Sequence, residues 1–526
     1  MKETIIIILI FFNFTIVYNL KCGNDKLRHK PPGKLKEKSN SRRKLDNEYK
    51  PMKIKVDYTQ VKIDTYNAPD VFEKLKISLD LATHYFELLL SIKGSDYEPL
   101  DHTILEEECS VDNVDPNSTN WLKEYDLIIL PTYINETETN DVFASAYPCL
   151  VNDNDYKPVV GKVNILPNFD FNKNNIIIFL QTVLFHEITH FLVFHPFLLN
   201  HFNAIKIEIV GEEVKSYIVS PRVVEKAWIH FGCNSLDKLP LEDQGGEGSA
   251  GSHWEGRYML GDYMVSTSYD ENVISDITLA LFEDSGWYKP NYYTGGLFRF
   301  GKNIGCQFFE NNCLIDQKAV FPNEFCDKSK EPKCLSSHLG TGECYIGDYK
   351  SIMEIPSKYQ YFKKEYLGGL VNVNFCPAAN AYFESDSQKA HYFGTNCRYG
   401  ASLNIFEHYG EVIGNKSLCF ESSLVPRYSP QPYKWRSICY KMACDRVNKK
   451  IIVFINDLNV TCPYNGGILK KVKGFKGKIK CPDYNLVCTS ETWCNEMFEC
   501  IDKKSETDYS TYILQNNEDL WNFYLL

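Results

Sequence analysis

Nineteen cysteines in 526 residues, fifteen of them at or after Cys306, limit what this chain can fold into. No Cys-x-x-Cys pair occurs, which argues against a zinc ribbon or a thioredoxin-like site. So many cysteines read instead as disulfides, closed in an oxidising compartment. Residues 301–526 are therefore expected to form a stapled, loop-rich domain in which crosslinks supplement a modest core. The count is odd. Cys22, alone ahead of a basic segment, is the natural one left over, and the other 18 could close nine bridges.

The N-terminus agrees with that compartment. Met1-Lys2-Glu3 precedes an apolar run from Ile5 to Val17, interrupted by Asn13 and Thr15, which is too short for a comfortable membrane span. Residues 1–20 read as a signal peptide, and no other segment is expected to cross a bilayer. Asn117, Asn135, Asn415 and Asn459 stand in Asn-x-Ser/Thr sequons. Residues 26–44 hold nine Lys/Arg and two prolines, so this stretch is expected to be extended and exposed, as a propeptide (residues 21–44) with Arg42-Arg43 as a candidate cleavage point. Removing residues 1–44 takes away 11 Lys/Arg and 3 Asp/Glu, which moves the formal charge from −11 to −19. Such a body is expected to repel nucleic acid and anionic membranes. The final residues, Asn516 to Leu526, are too short and mixed for a C-terminal anchor signal. The expected location is secreted or extracellular, with association at a cell surface or membrane left open.

The chemistry is carried by His186-Glu187-Ile188-Thr189-His190. On a helix, residues four apart share a face, so two neutral imidazoles can meet one zinc while Glu187 stays off the metal and takes a proton from its water. The preceding run, Ile176 to Phe185, is apolar enough for a buried helix. A catalytic zinc needs three protein ligands and an open position, and the third is not fixed by the pentapeptide. In the metzincin pattern it lies six residues past the second histidine, with glycine three past it; here those positions hold Pro196 and Val193. His195 reads as a surface or capping histidine, since Pro196 excludes the helical conformation from the residue before it. Glu225, in a helical-looking segment, would be the third ligand of a gluzincin-like site. His253 lies in Glu242 to Glu255, where four glycines crowd it and let a backbone approach closely.

Over a longer stretch the chain resembles leishmanolysin, a metzincin whose third histidine is separated from the helix by an inserted domain. The resemblance runs through Pro221-Arg222-Val223-Val224-Glu225-Lys226-Ala227, His230-Phe231-Gly232-Cys233, Glu242-Asp243-Gln244-Gly245-Gly246, Gly248-Ser249-Ala250-Gly251-Ser252-His253-Trp254 and Leu281-Phe282-Glu283-Asp284-Ser285-Gly286-Trp287-Tyr288, then Gly305-Cys306 and Cys313. It implies His186, His190 and His253 as ligands of one catalytic Zn²⁺, Glu187 as general base, and Met264, in Gly261-Asp262-Tyr263-Met264-Val265, as the residue of a Met-turn beneath the metal. Val193 departs from the family glycine, so the turn after the helix must be made differently. The family's pro-segment cysteine makes Cys22 a candidate switch, its thiolate filling the zinc's open position in the precursor.

The expected fold is α+β: a metzincin-like catalytic domain at 45–197, an inserted central domain at 198–300 that brings the third ligand and the Met-turn, and the cysteine-rich domain at 301–526. A helix is expected from Val71 to about Ile92, and strands at Tyr125 to Pro131 and Val159 to Ile165. Val142 to Tyr147 stand where metzincins keep the strand that pairs with substrate. The expected function is a secreted zinc endopeptidase acting on protein or peptide substrates and not on nucleic acid. Its alternative is a catalytically silent adhesin on the same fold.

Overall fold

The computed structural model describes residues 31–37 and 48–488, apart from 63–68, 113, 134–142, 168, 170, 173–175, 212, 245–249, 267–272, 293–297, 382–394, 399–408, 415, 431–433 and 446. Residues 1–20, expected to be a signal peptide, Cys22, Arg42-Arg43, Asn135, Val142, Asn415 and the chain beyond residue 488 lie outside the described residues.

The first elements are β1 (Gly33–Leu35), β2 (Lys50–Pro51), β3 (Ile54–Val56), α1 (Pro69–Leu89), β4 (Leu90–Ile92), α2 (His102–Cys109), β5 (Leu127–Tyr133), β6 (Ala144–Asn152), β7 (Pro158–Ile165) and α3 (Ile176–Leu192). They build a sheet of order β1-β6-β7-β5-β3, in which β6 runs antiparallel to β7 and the other neighbours are parallel. One face is covered by α1 and α3, the other by α2. Every residue of α3 but Ile178 and His186 is buried, as suits a helix apolar on all sides. By length and composition Ile176–His201 would pass for a membrane span, against the expectation that no segment past the N-terminal run could cross a bilayer; its most apolar window is 89% buried in the protein, which supplies the apolar surroundings. Phe86 of α1 stacks on Phe185 of α3 with centroids 4.1 Å apart. On the sheet side, a Cβ at Gly161 of β7 would lie 2.5 Å from the Phe191 ring, so glycine there lets α3 lie close to the strand.

Two expectations are corrected. The helix expected to reach Ile92 stops at Leu89, and Leu90–Ile92 pairs as β4 with Lys50–Pro51 and, across β4, with Tyr288–Pro290. An apolar run satisfies a buried helix or strand equally, and here flanking strands decide. The segment 26–44, expected to be extended and exposed, is extended at Gly33–Leu35 with Lys34 and Lys36 exposed, but it is not exposed throughout and joins the fold at Gly33 to Glu37. Leu35 is buried in the α2-side core, Lys34 pairs with Asp153 at 3.3 Å, and Glu37 accepts from Asn152 at 2.7 Å and Asn154 at 3.2 Å.

After α3 come α4 (Pro196–His201), β8 (Ile205–Val210), β9 (Glu213–Ile218), α5 (Pro221–Phe231), β10 (Leu239–Pro240), α6 (Gly256–Met259), α7 (Asp276–Asp284) and β11 (Tyr288–Pro290). One core runs from Met52 through α1, α3, α5 and α7 to Ala378. A second, from Tyr409 to Cys488, fills a six-stranded antiparallel sheet of order Leu458–Thr461, Lys450–Ile455, Arg436–Asp445, Ser417–Ser422, Ile479–Cys481, Gly467–Leu469. Among the described residues eight disulfides close: Cys109–Cys149, Cys233–Cys306, Cys313–Cys376, Cys326–Cys344, Cys334–Cys419, Cys397–Cys439, Cys444–Cys488 and Cys462–Cys481. Cys494 and Cys500, like Cys22, lie outside them.

Candidate metal centre

The last turns of α3 present His186 and His190 on one face, four residues apart, with Glu187 buried beside them at 1% exposure. The loop following β10 delivers His253 to the same point. His190 Nε2 lies 3.0 Å from His186 Nε2, and His186 Nε2 lies 3.2 Å from His253 Nε2. The ligand atoms of all three fall within 4.8 Å of one another.

Each ring is held by its other nitrogen. His186 Nδ1 is 2.6 Å from the Tyr263 carbonyl and His190 Nδ1 is 3.0 Å from the Phe194 carbonyl. A carbonyl only accepts, so both Nδ1 atoms carry the proton and both Nε2 atoms present a lone pair. His253 Nδ1 meets the Ser252 hydroxyl at 3.0 Å. Burial pushes His186 down to about 4, with the Tyr263 carbonyl partly opposing it. Burial, then the neighbouring imidazoles, hold His190 well below its ordinary value. The two are therefore neutral at neutral pH, as metal ligands must be. Lone pairs that face one another at this range repel unless a cation sits among them, and three imidazoles are a zinc donor set. The residues present fit the metal.

The loop is fixed by its own short network. Glu242 N donates to the His253 carbonyl at 2.9 Å, and Leu241 bridges Trp254 in antiparallel fashion. Trp254 in turn bridges Val265, its N–H donating to the Met264 carbonyl at 3.0 Å. Met264 is fully buried in the turn whose preceding carbonyl, that of Tyr263, holds His186. Asp262 anchors this turn: it accepts from Met264 N at 2.8 Å, from Ser275 N at 3.2 Å and from the Thr278 hydroxyl at 2.9 Å. The Tyr263 hydroxyl reaches back to Thr189 of α3 at 3.0 Å. Sequence reasoning missed Tyr263, Ser252 and Phe194. Two of these act through the backbone, which leaves no residue-type signal. Glu242, Asp243 and Glu255 also cluster here, Asp243 pairing with Lys215 at 3.1 Å.

The other candidates part from the centre. Glu225 does not join it: it pairs with Arg222 at 2.8 Å on α5, its side chain 47% exposed, so the gluzincin-like arrangement is overturned. His195 caps α4, its Nδ1 accepting from Phe197 N at 3.2 Å, but at 4% exposure it is a core residue and not a surface one. Val193 adopts no positive φ. The turn is made instead by closing both Val193 N and Phe194 N onto the Thr189 carbonyl, each at 3.0 Å, before Pro196 opens α4.

Residues 103–494 match the family model described as leishmanolysin. A leishmanolysin homolog of Crithidia fasciculata is 30% identical over 388 residues, covering 71% of this chain and 56% of its own length. A leishmanolysin-like peptidase of Drosophila pseudoobscura pseudoobscura is 31% identical over 315 residues, covering 53% and 45%. The leishmanolysin of Leishmania major is 27% identical over 350 residues, covering 64% and 55%. The chain spans about half the length of the curated relatives it matches.

Proposed function

The chain belongs to the leishmanolysin family, and from that membership we propose that it is a zinc-dependent endopeptidase hydrolysing peptide bonds of protein substrates. The observation that carries the reading is the convergence of three Nε2 atoms from two separate segments of the chain. His186, His190 and His253 would hold the metal. Bound there, zinc supplies Lewis-acid polarisation and lowers the pKa of a water in its remaining position.

The protein's own groups do the rest. Glu187, adjacent to His186 and buried, accepts the proton of the attacking water and returns it to the departing amine. The Tyr263 and Phe194 carbonyls and the Ser252 hydroxyl fix ring orientation, so that the ligands need no reorganisation when the metal arrives. In the same reading residues 1–20 direct secretion, Cys22 keeps the precursor latent through its thiolate, and Asn117 and Asn459, both exposed, carry glycans.

The decisive measurement is casein cleavage by the purified protein, with and without a chelator, beside Glu187→Ala. The variant should retain its zinc and lose activity by roughly 10²–10⁴-fold. A zinc-replete Glu187→Ala that cleaves at the wild-type rate would overturn the proposal.

A further inference from the structure

The charge of this chain is divided unevenly. Residues 409–488 hold fourteen Lys/Arg against five Asp/Glu, a formal +9 inside a chain of −11. The imbalance concentrates further in residues 458–482, which hold Lys470, Lys471, Lys473, Lys476, Lys478 and Lys480 and no carboxylate side chain. We propose that this face of the C-terminal unit docks a sulfated polysaccharide.

The fold turns the sequence run into a surface. Val472 and Ile479 point into the second core and Phe475 packs against it, while Lys470, Lys471, Lys473, Lys476 and Lys478 are exposed. Val425 and Pro426 pair with Lys476 and Phe475, and Arg427 N donates to the Gly474 carbonyl at 2.8 Å, so exposed Arg427 stands beside the lysines. Several lysines elsewhere are matched with acids, as Lys215 is with Asp243 and Lys206 with Glu208. Here, among the described residues, Lys480 is the one of the six in an ion pair, with Glu421 at 3.0 Å. Five uncompensated ammonium groups on one loop create a local positive field against an acidic background, and a linear polyanion crossing it releases its condensed counterions on binding.

The rest of the molecule narrows the choice of polyanion. Eight disulfides place folding where thiols are oxidised, away from nucleic acid, and this step rests on the secreted reading above. Between these lysines Val472 and Ile479 turn inward, and the large apolar side chains exposed beside them are Ile468 and Tyr428, too few for a membrane-inserting face. What remains is a row of long, flexible cations suited to repeated sulfate groups.

The test uses the full chain on immobilised heparin and, separately, with phosphatidylcholine vesicles containing phosphatidylserine. Wild type should bind heparin at physiological salt, with affinity falling as salt rises. The combined variant Lys470→Ala, Lys471→Ala, Lys473→Ala and Lys476→Ala should lose at least about tenfold in affinity and show a shallower salt dependence. A control with Lys330, Lys350, Lys363 and Lys364 changed to Ala should bind as wild type does. Unchanged melting temperatures show that neither set disturbs folding. Equal heparin affinity in the patch variant and wild type overturns the proposal, as does patch-dependent binding to the vesicles without binding to heparin. Casein cleavage is read independently, so a failed peptidase assay and a failed docking assay are distinguishable.

Discussion

At the metal centre two of the three histidines are set by spacing and the third by tertiary structure, and substitutions should separate them from their neighbours. His253→Ala removes one of three Nε2 atoms and should release zinc, whereas His195→Ala, which removes a buried helix cap and no ligand, should keep it; elemental analysis of both proteins decides. Beneath them, Asp262 is fully buried, and that burial, partly opposed by the Ser275 and Thr278 hydroxyls and the Met264 amide, raises it to about 6. The unfolded chain ionises this carboxyl near pH 4, so it sheds its proton first as pH rises and the folded state loses stability across the window from about 4 to about 6, by about 3 kcal/mol. Asp262→Asn should be less stable at about pH 4, since an amide nitrogen cannot accept from Ser275 or Thr278, and should lack that slope, so that the deficit shrinks toward pH 7. Denaturant midpoints at about pH 4 and pH 7 measure both effects; an unchanged slope would show that Asp262 is not its source. His186, Glu187 and His190 were legible in the chain because helical periodicity fixes their juxtaposition. His253 was legible only through its glycines and the family resemblance, as nothing local sets a distance to a residue 63 positions past His190.

Among the elements, α3 was the most legible, for the apolar run Ile176 to Phe185 is too long for a typical buried strand and so reads as a buried helix. What the run does not reveal is how closely the helix approaches β7. That distance depends on Gly161, where an added Cβ would stand 2.5 Å from the Phe191 ring. Gly161→Ala should cost about 1–3 kcal/mol through overpacking and, because Phe191 follows His190 directly, should weaken zinc retention as well. Thermal unfolding and zinc content of the variant check the two parts, and a wild-type melting temperature would show that α3 shifts freely. The end of α1 and the whole of β1 were not legible. Leu90–Ile92 and Gly33–Leu35 become strands only because partners distant in sequence are there to receive them.

At the scale of the molecule, the cysteine count announced a crosslinked C-terminal half, but pairing is a property of the folded chain and was left open by the sequence. Cys397–Cys439 ties Cys397, which precedes the second core in the chain, to the strand Arg436–Asp445, 42 residues on. Losing both thiols as Cys397→Ser with Cys439→Ser should lower stability by about 4 kcal/mol on loop-closure entropy, seen as a fall in the denaturant midpoint while casein cleavage at low denaturant persists. Concurrent loss of cleavage would mean that the two cores unfold together. The N-terminal strand carries a different consequence. Gly33 to Glu37 are joined to the sheet by backbone pairing with Leu150–Asn152, by Leu35 in the core and by the carboxylate clasp of Glu37 on two asparagines. A cut at Arg42-Arg43 therefore breaks a covalent link without dissolving any of these contacts. Its immediate product is a two-chain molecule, one species by native mass and two polypeptides by denaturing gel, in which shedding the short chain is a separate event with its own rate.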